Sequence, residues 1–158
     1  MVIEWYGKDK LNFKGERNLN NSNRITYNCG GYALETYSWY VPFDKKENNN
    51  FDRLRFTDQE KLDEKAYTYS RIITKEFRGR VRVIENMDEL KLDEYAIAFR
   101  VGRGDIHFVK RNSVGNWYHK TGSQIDIKKM KKNEVFSNSW LGGRYTSKII
   151  LLAKKKNN

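Results

Sequence analysis

The spacing of apolar residues changes once along this chain, and that change limits the folds open to it. Leu62, Ala66, Tyr69, Ile73 and Phe77 recur every three or four positions and would line one face of a helix ending near Phe77. Thr57-Asp58-Gln59-Glu60 ahead of them fits a capping box, with Thr57 as N-cap and Glu60 at N3. From Arg80 the period is two. Val81 and Val83 alternate with Arg80 and Arg82, and Asn86 to Leu90 reads as a turn or short helix. Tyr95 to Val101 is apolar enough for a central strand, and Gly102 to Asp105 for a tight turn. The segments around His107 and His119 alternate as strands on either side of the turn-rich Asn112 to Asn116, and Ser147 to Ala153 closes as a strand. Helices precede strands, which predicts an α+β chain. The expectation is one domain over residues 1–158, N-terminal helices packed on an antiparallel sheet of four or five strands, ending in a short basic tail.

Ahead of that helix, residues 1 to 22 carry alternating Val2, Trp5 and Phe13 and then a polar run, which suggests a short strand or arm and a loop. Asn28-Cys29-Gly30-Gly31-Tyr32-Ala33-Leu34 opens what reads as an amphipathic helix to about Tyr40, stopped by Pro42 and a polar loop from Lys45 to Asn50. Asn28 is the expected N-cap and Cys29 sits at or just before the first turn. Unpaired N–H groups and the positive dipole end there favour thiolate over thiol. Gly30 and Gly31 leave the sulfur uncrowded, while Tyr32, Ala33, Leu34 and Tyr37 can anchor the helix. A lone cysteine also fits as a small buried apolar residue, so its partners must separate the two readings.

The only two histidines supply candidates. A hairpin centred on residue 113 or 114 sets position 107 opposite 119 to 121, so His107 and His119 become direct or diagonal cross-strand neighbours. A helix-borne cysteine with that pair provides nucleophile, base and orienting group. The order is cysteine, histidine, then a second histidine 12 positions later. It resembles the NlpC-type branch of the papain-like cysteine peptidases and amidases. Asn28-Cys29-Gly30-Gly31-Tyr32 is similar to that family's Asp-Cys-Ser-Gly-Phe signature, with Asn28 and Gly30 replacing Asp and Ser. Gly104-Asp105 resembles its Gly-Asp run, at a shorter distance from the histidine; the likeness covers roughly residues 23 to 127.

The resemblance implies a papain-like fold and catalysis by Cys29, His107 and His119. His107 would take the thiol proton and His119 would fix the tautomer of His107. Asp105, two residues before His107, is a fallback orienting group. Asn23, six positions before Cys29, is a candidate oxyanion-hole amide or a plain loop residue. The implied substrate is a peptide or other amide; the NlpC-type enzymes typically cut γ-D-glutamyl bonds in cell-wall stem peptides. Lys110, Arg111, Trp117 and Lys120 would flank the hairpin, either gripping an anionic substrate or forming a solvated edge. No cofactor is expected, although zinc held by Cys29, His107 and His119 competes for the same residues.

Composition bounds the rest. At 38% hydrophobic and 14% aromatic, the chain suits a packed core and not a disordered segment. One cysteine excludes an intramolecular disulfide framework and fits a reducing compartment. The expected localisation is cytoplasmic, because Met1 to Tyr6 lacks the pattern of a signal peptide; delivery by phage or secretion machinery fits equally. No apolar run has the length of a membrane span. The net charge of +11 implies attraction to polyanions. Lys128 to Lys132 and Lys154 to Lys156 also read as solvated faces and frayed ends, and the abundance of Lys, Asn and Ile looks like low-GC coding. Neither a zinc finger nor an RNP pattern is present. The alternative function is a small basic binding or inhibitor protein, phage-encoded, that engages nucleic acid or a host protein without catalysis.

Overall fold

The computed structural model describes residues 27–43, 58–120 and 126–157. In chain order the elements are α1 (Cys29–Ala33), α2 (Gln59–Glu76), β1 (Val81–Ile84), a 3-10 turn (Met87–Glu89), β2 (Glu94–Gly102), β3 (Asp105–Arg111), β4 (Trp117–Lys120), β5 (Ile127–Met130), α3 (Lys132–Val135) and β6 (Ile150–Lys155). The class is α+β, with few helices and one antiparallel sheet in the order β1-β6-β2-β3-β4-β5. Among the described residues the sheet has six strands, where four or five were expected. The unforeseen one is β5, Ile-Lys-Lys-Met, which has no period-two pattern and is defined by its pairing with β4, Trp117 opposite Met130 and Lys120 opposite Ile127. The strand or arm expected in residues 1–22 and the candidate Asn23 lie outside the described residues.

Contacts divide the chain into two compact units, one of Val41–His107 with Asn133–Asn158 and one of Met1–Tyr40 with Phe108–Lys132. In the first, α2 buries Leu62, Ala66, Tyr69 and Ile73 as their spacing predicts, packed against β1, β2 and β6. Leu62 and Ile73 each contribute about 1.5–3 kcal/mol by leaving water, and the single methyl of Ala66 less. The N-cap of α2 is Asp58, which makes no side-chain cap bond; Thr57 lies outside the described residues. β6 runs between β1 and β2, with Leu152 opposite both Val83 and Ile97, so Ile150 to Ala153 are buried. β2 is buried along its whole length. β1 ends the strand order, and there Val83 stays 43% exposed while Val81 is buried, so the expected alternation does not give them a common buried face. Asn86 caps the 3-10 turn and Glu89 reaches back to its N-terminus, a complete capping box.

In the second unit, β3 and β4 pair antiparallel with Lys110 opposite Tyr118 and Arg111 opposite Trp117, a hairpin centred on Val114. Asn112 Oδ1 organises its turn by accepting from the N–H groups of Val114 (3.1 Å), Gly115 (3.0 Å) and Asn116 (2.9 Å). α1 is shorter than expected, ending at Ala33 and not near Tyr40. Glu35 and Tyr37 take left-handed φ of 58° and 52°, which ends helical geometry and turns the chain back. Among the described residues, no helix is long and apolar enough to cross a membrane.

Candidate active site

Cys29 is the first residue of α1 and is 6% exposed. Asn28 precedes it in extended conformation and caps the helix as expected, its Oδ1 accepting from Gly31 N at 3.0 Å. The same side chain does more than the sequence suggests. Oδ1 also accepts from Tyr40 N at 3.0 Å, and Nδ2 donates to Tyr40 O at 2.8 Å. Asn28 thereby ties the returning segment 35–40 across the start of α1.

That return explains both glycines. A Cβ on Gly31 would lie 1.8 Å from Ser38 O, and one on Gly30 would lie 2.6 Å from Tyr40 O. The glycines are therefore demanded by the close approach of Ser38 to Tyr40, beyond any need to leave the sulfur uncrowded. This strap, the return of residues 35–40 over the start of α1, also limits what positions 28 and 30 can carry. A serine at position 30 would strike the strap, and a carboxylate at position 28 could not donate to Tyr40 O.

α1 packs against β4, the strand that carries His119, and His119 is 5% exposed. Two of the three hairpin cations, Lys110 and Lys120, sit differently from the expectation. Lys110 is buried, with Nζ 3.2 Å from Glu35 Oε2 and 4.1 Å from the centre of the Tyr32 ring. Lys120 is fully buried and donates from Nζ to Tyr27 O at 2.6 Å, with its cation 4.9 Å from the Tyr27 ring. A carboxylate, a carbonyl and aromatic faces offset the cost of taking these ammonium groups out of water. Both lysines are thus internal ties of the cysteine-bearing unit, neither a solvated edge nor a free grip for an anion. Trp117 is buried as well.

His107 belongs to the other unit and is 3% exposed. Its imidazole stacks on Tyr145, with ring centres 5.3 Å apart and planes at 29°, and meets Trp140 edge-on at 6.1 Å. Asp105 is already committed: Oδ1 accepts from Ile106 N at 2.8 Å, and Oδ2 accepts from the Tyr145 hydroxyl at 2.6 Å and from Arg144 at 3.3 Å.

The residues missed in the sequence include Arg100, a charge inside the apolar run of β2. It donates to the carbonyls of Ser137, Asn138 and Ser147 and lies 5.3 Å over the Trp140 ring. Burial pushes its guanidinium below the ordinary arginine value, against the raising influence of Asp63. Lone charges in apolar strands are the signal that could have found it, since such groups persist when most of their donors are satisfied, as both terminal nitrogens are here while Nε is buried without a hydrogen-bond partner.

Among the described residues, no group of three or more His, Cys, Asp or Glu side chains is placed to hold a metal ion. No protein-family model, no curated protein and no solved structure matches this chain.

Proposed function

We propose that the protein is a cysteine hydrolase, a peptidase or amidase resembling the NlpC-type papain-like enzymes. The observation that carries the reading is local: the only thiol of the chain opens a capped helix, and that helix packs on the strand bearing one of the only two histidines. In this reading His107 accepts the thiol proton and the Cys29 sulfur attacks the carbonyl carbon of an amide. The C–N bond breaks as the amine leaves with the proton from His107, and water then resolves the acyl-enzyme. His119 orients His107 through its second nitrogen. Because Lys110 and Lys120 are occupied internally, neither is the group that would select an anionic substrate.

The test is the pH dependence of Cys29 alkylation by iodoacetamide, on the native protein and on His107→Ala. The expected result is fast labelling with a midpoint well below the roughly 8.5 of an ordinary thiol, lost in the variant. Slow labelling near that reference in both proteins would overturn the hydrolase reading. The second reading, a basic binding protein, draws on exposed Lys128 and Lys129 of β5 and on Lys131 and Lys132 just beyond it. It requires polyanion affinity at physiological salt that survives Cys29→Ser.

A further inference from the structure

We infer that Asp105 and Tyr145 act together as positioning residues for His107: the carboxylate pins the phenol, and the pinned ring sets the plane of the imidazole. Their importance for catalysis rests on the reading of His107 as the base; the mechanical coupling does not.

Three sets of contacts hold Tyr145 in place. Its backbone bridges to Gly102 at the end of β2 and to Trp140, with Trp140 N donating to Tyr145 O at 3.0 Å. Arg144 O approaches Gly102 so closely that a Cβ there would lie 2.1 Å away, so the loop is seated directly on the strand. Upstream, Arg100 grips the carbonyls of Ser137, Asn138 and Ser147, and Trp140 Nε1 donates to Val135 O at 2.8 Å. These contacts fix where the Tyr145 side chain starts. The far end of its ring is held by Asp105 Oδ2 at 2.6 Å, and Arg144 lies 5.5 Å over the ring face.

Asp105 stands two residues before His107 on β3, the spacing that returns a strand to the same face. Its side chain is 40% exposed, so water could satisfy the carboxylate without tyrosine. The phenol has less choice, because Tyr145 is buried and its hydroxyl needs a partner. A purely structural hydroxyl would affect stability alone. A positioning one also changes what the imidazole experiences, since the stacked face favours the imidazolium and a ring free to tilt does so less. Among the described residues, the charged and titratable groups in contact with the rings and carboxylate beside His107 include Asp105 on its own strand, Arg144 and Tyr145 on the loop, and Arg100 over Trp140.

The experiment is an NMR titration of the full chain, whose two histidines give two imidazole Hε1 resonances, assigned with His119→Gln. Wild type is compared with Tyr145→Phe, Asp105→Asn and the double variant. Each single change is expected to lower the His107 midpoint by about half a unit and to shift its resonance toward the value of a free imidazole. The double variant should move it no further than the larger single change, because both act through one bond. An unchanged His107 titration in either single variant, or effects that add, would overturn the coupling. Asp105→Asn alters a partly exposed side chain and keeps the test decisive if Tyr145→Phe folds poorly, because the resonance position reports the ring stacking and not the lost carboxylate charge. Cys29 alkylation is read separately, so failure of the hydrolase reading does not imitate failure here.

Discussion

Replacing Asn28 by aspartate exchanges the amide that ties the strap across α1 for a carboxylate. The two side chains have nearly the same shape, so the change isolates one donor. In the native chain Oδ1 accepts twice, from Gly31 N and Tyr40 N at 3.0 Å each, and Nδ2 donates once, to Tyr40 O at 2.8 Å. The carboxylate keeps both acceptances and sets an oxygen against the Tyr40 carbonyl. Losing a net hydrogen bond costs about 1 kcal/mol, and leaving the facing oxygens desolvated and unpaired adds about 1–3 kcal/mol. A negative charge at a helix N-terminus returns about 0.3–1 kcal/mol. The expected net loss is about 2–3 kcal/mol, read by urea unfolding with an unchanged m-value. The accompanying Tm drop is roughly 5–10 °C for a chain of this length. Asn28→Ala, which loses all three bonds, should cost about as much or slightly more. If Asn28→Asp unfolds within about 0.5 kcal/mol of the native protein, the donation to Tyr40 O contributes nothing, and the strap is not what demands an amide at this position.

Two further stability measurements test other parts of the argument. Gly31→Ala should destabilise by about 3 kcal/mol and Gly30→Ala by less, since the new methyl meets Ser38 O at 1.8 Å in the first and Tyr40 O at 2.6 Å in the second; equal losses in urea unfolding would contradict the close approach of the strap. The Arg82 guanidinium holds the Glu94 carboxyl below the usual range through paired bonds of 3.0 and 2.9 Å, helped by the Lys91 N–H. A depressed carboxyl stabilises above its unfolded pKa of about 4.3 and loses that contribution as pH falls through the folded value. Glu94→Gln should therefore be less stable than the native protein at pH 7, with the gap closing toward pH 3; a gap independent of pH would show that the pair contributes no linked stability. Cys29 alkylation and the His107 titration complete the set.

The segments legible in the sequence are those where local patterns and tertiary environment agree. The stripe from Leu62 to Ile73 packs as its spacing demands, and the apolar run of β2 is buried on both faces. Asn112 and Gly115 are turn residues by their own chemistry, and the hairpin centre followed from them. The cysteine segment was legible only at its cap. Its helical spacing continues to Tyr37, yet the helix stops at Ala33 because bonds from Asn28 to Tyr40, 12 residues away, favour the returning strap. No local propensity carries that information.

The charged residues divide in the same way. Lys110 and Lys120 look like any other lysines of a basic chain, and their burial arises only where Tyr32, Glu35 and Tyr27 close around them. Asp105 could be named from its spacing to His107, but its engagement with Tyr145 depends on a loop 40 positions later. Periodicity and turn chemistry, which act between near neighbours, were sufficient for the α+β class, the α2 face and the candidate cysteine and histidines. The end of α1, the sixth strand, the buried lysines and the surroundings of His107 were decided by contacts distant in sequence, because a side chain's burial and partners depend on which segments fold against it.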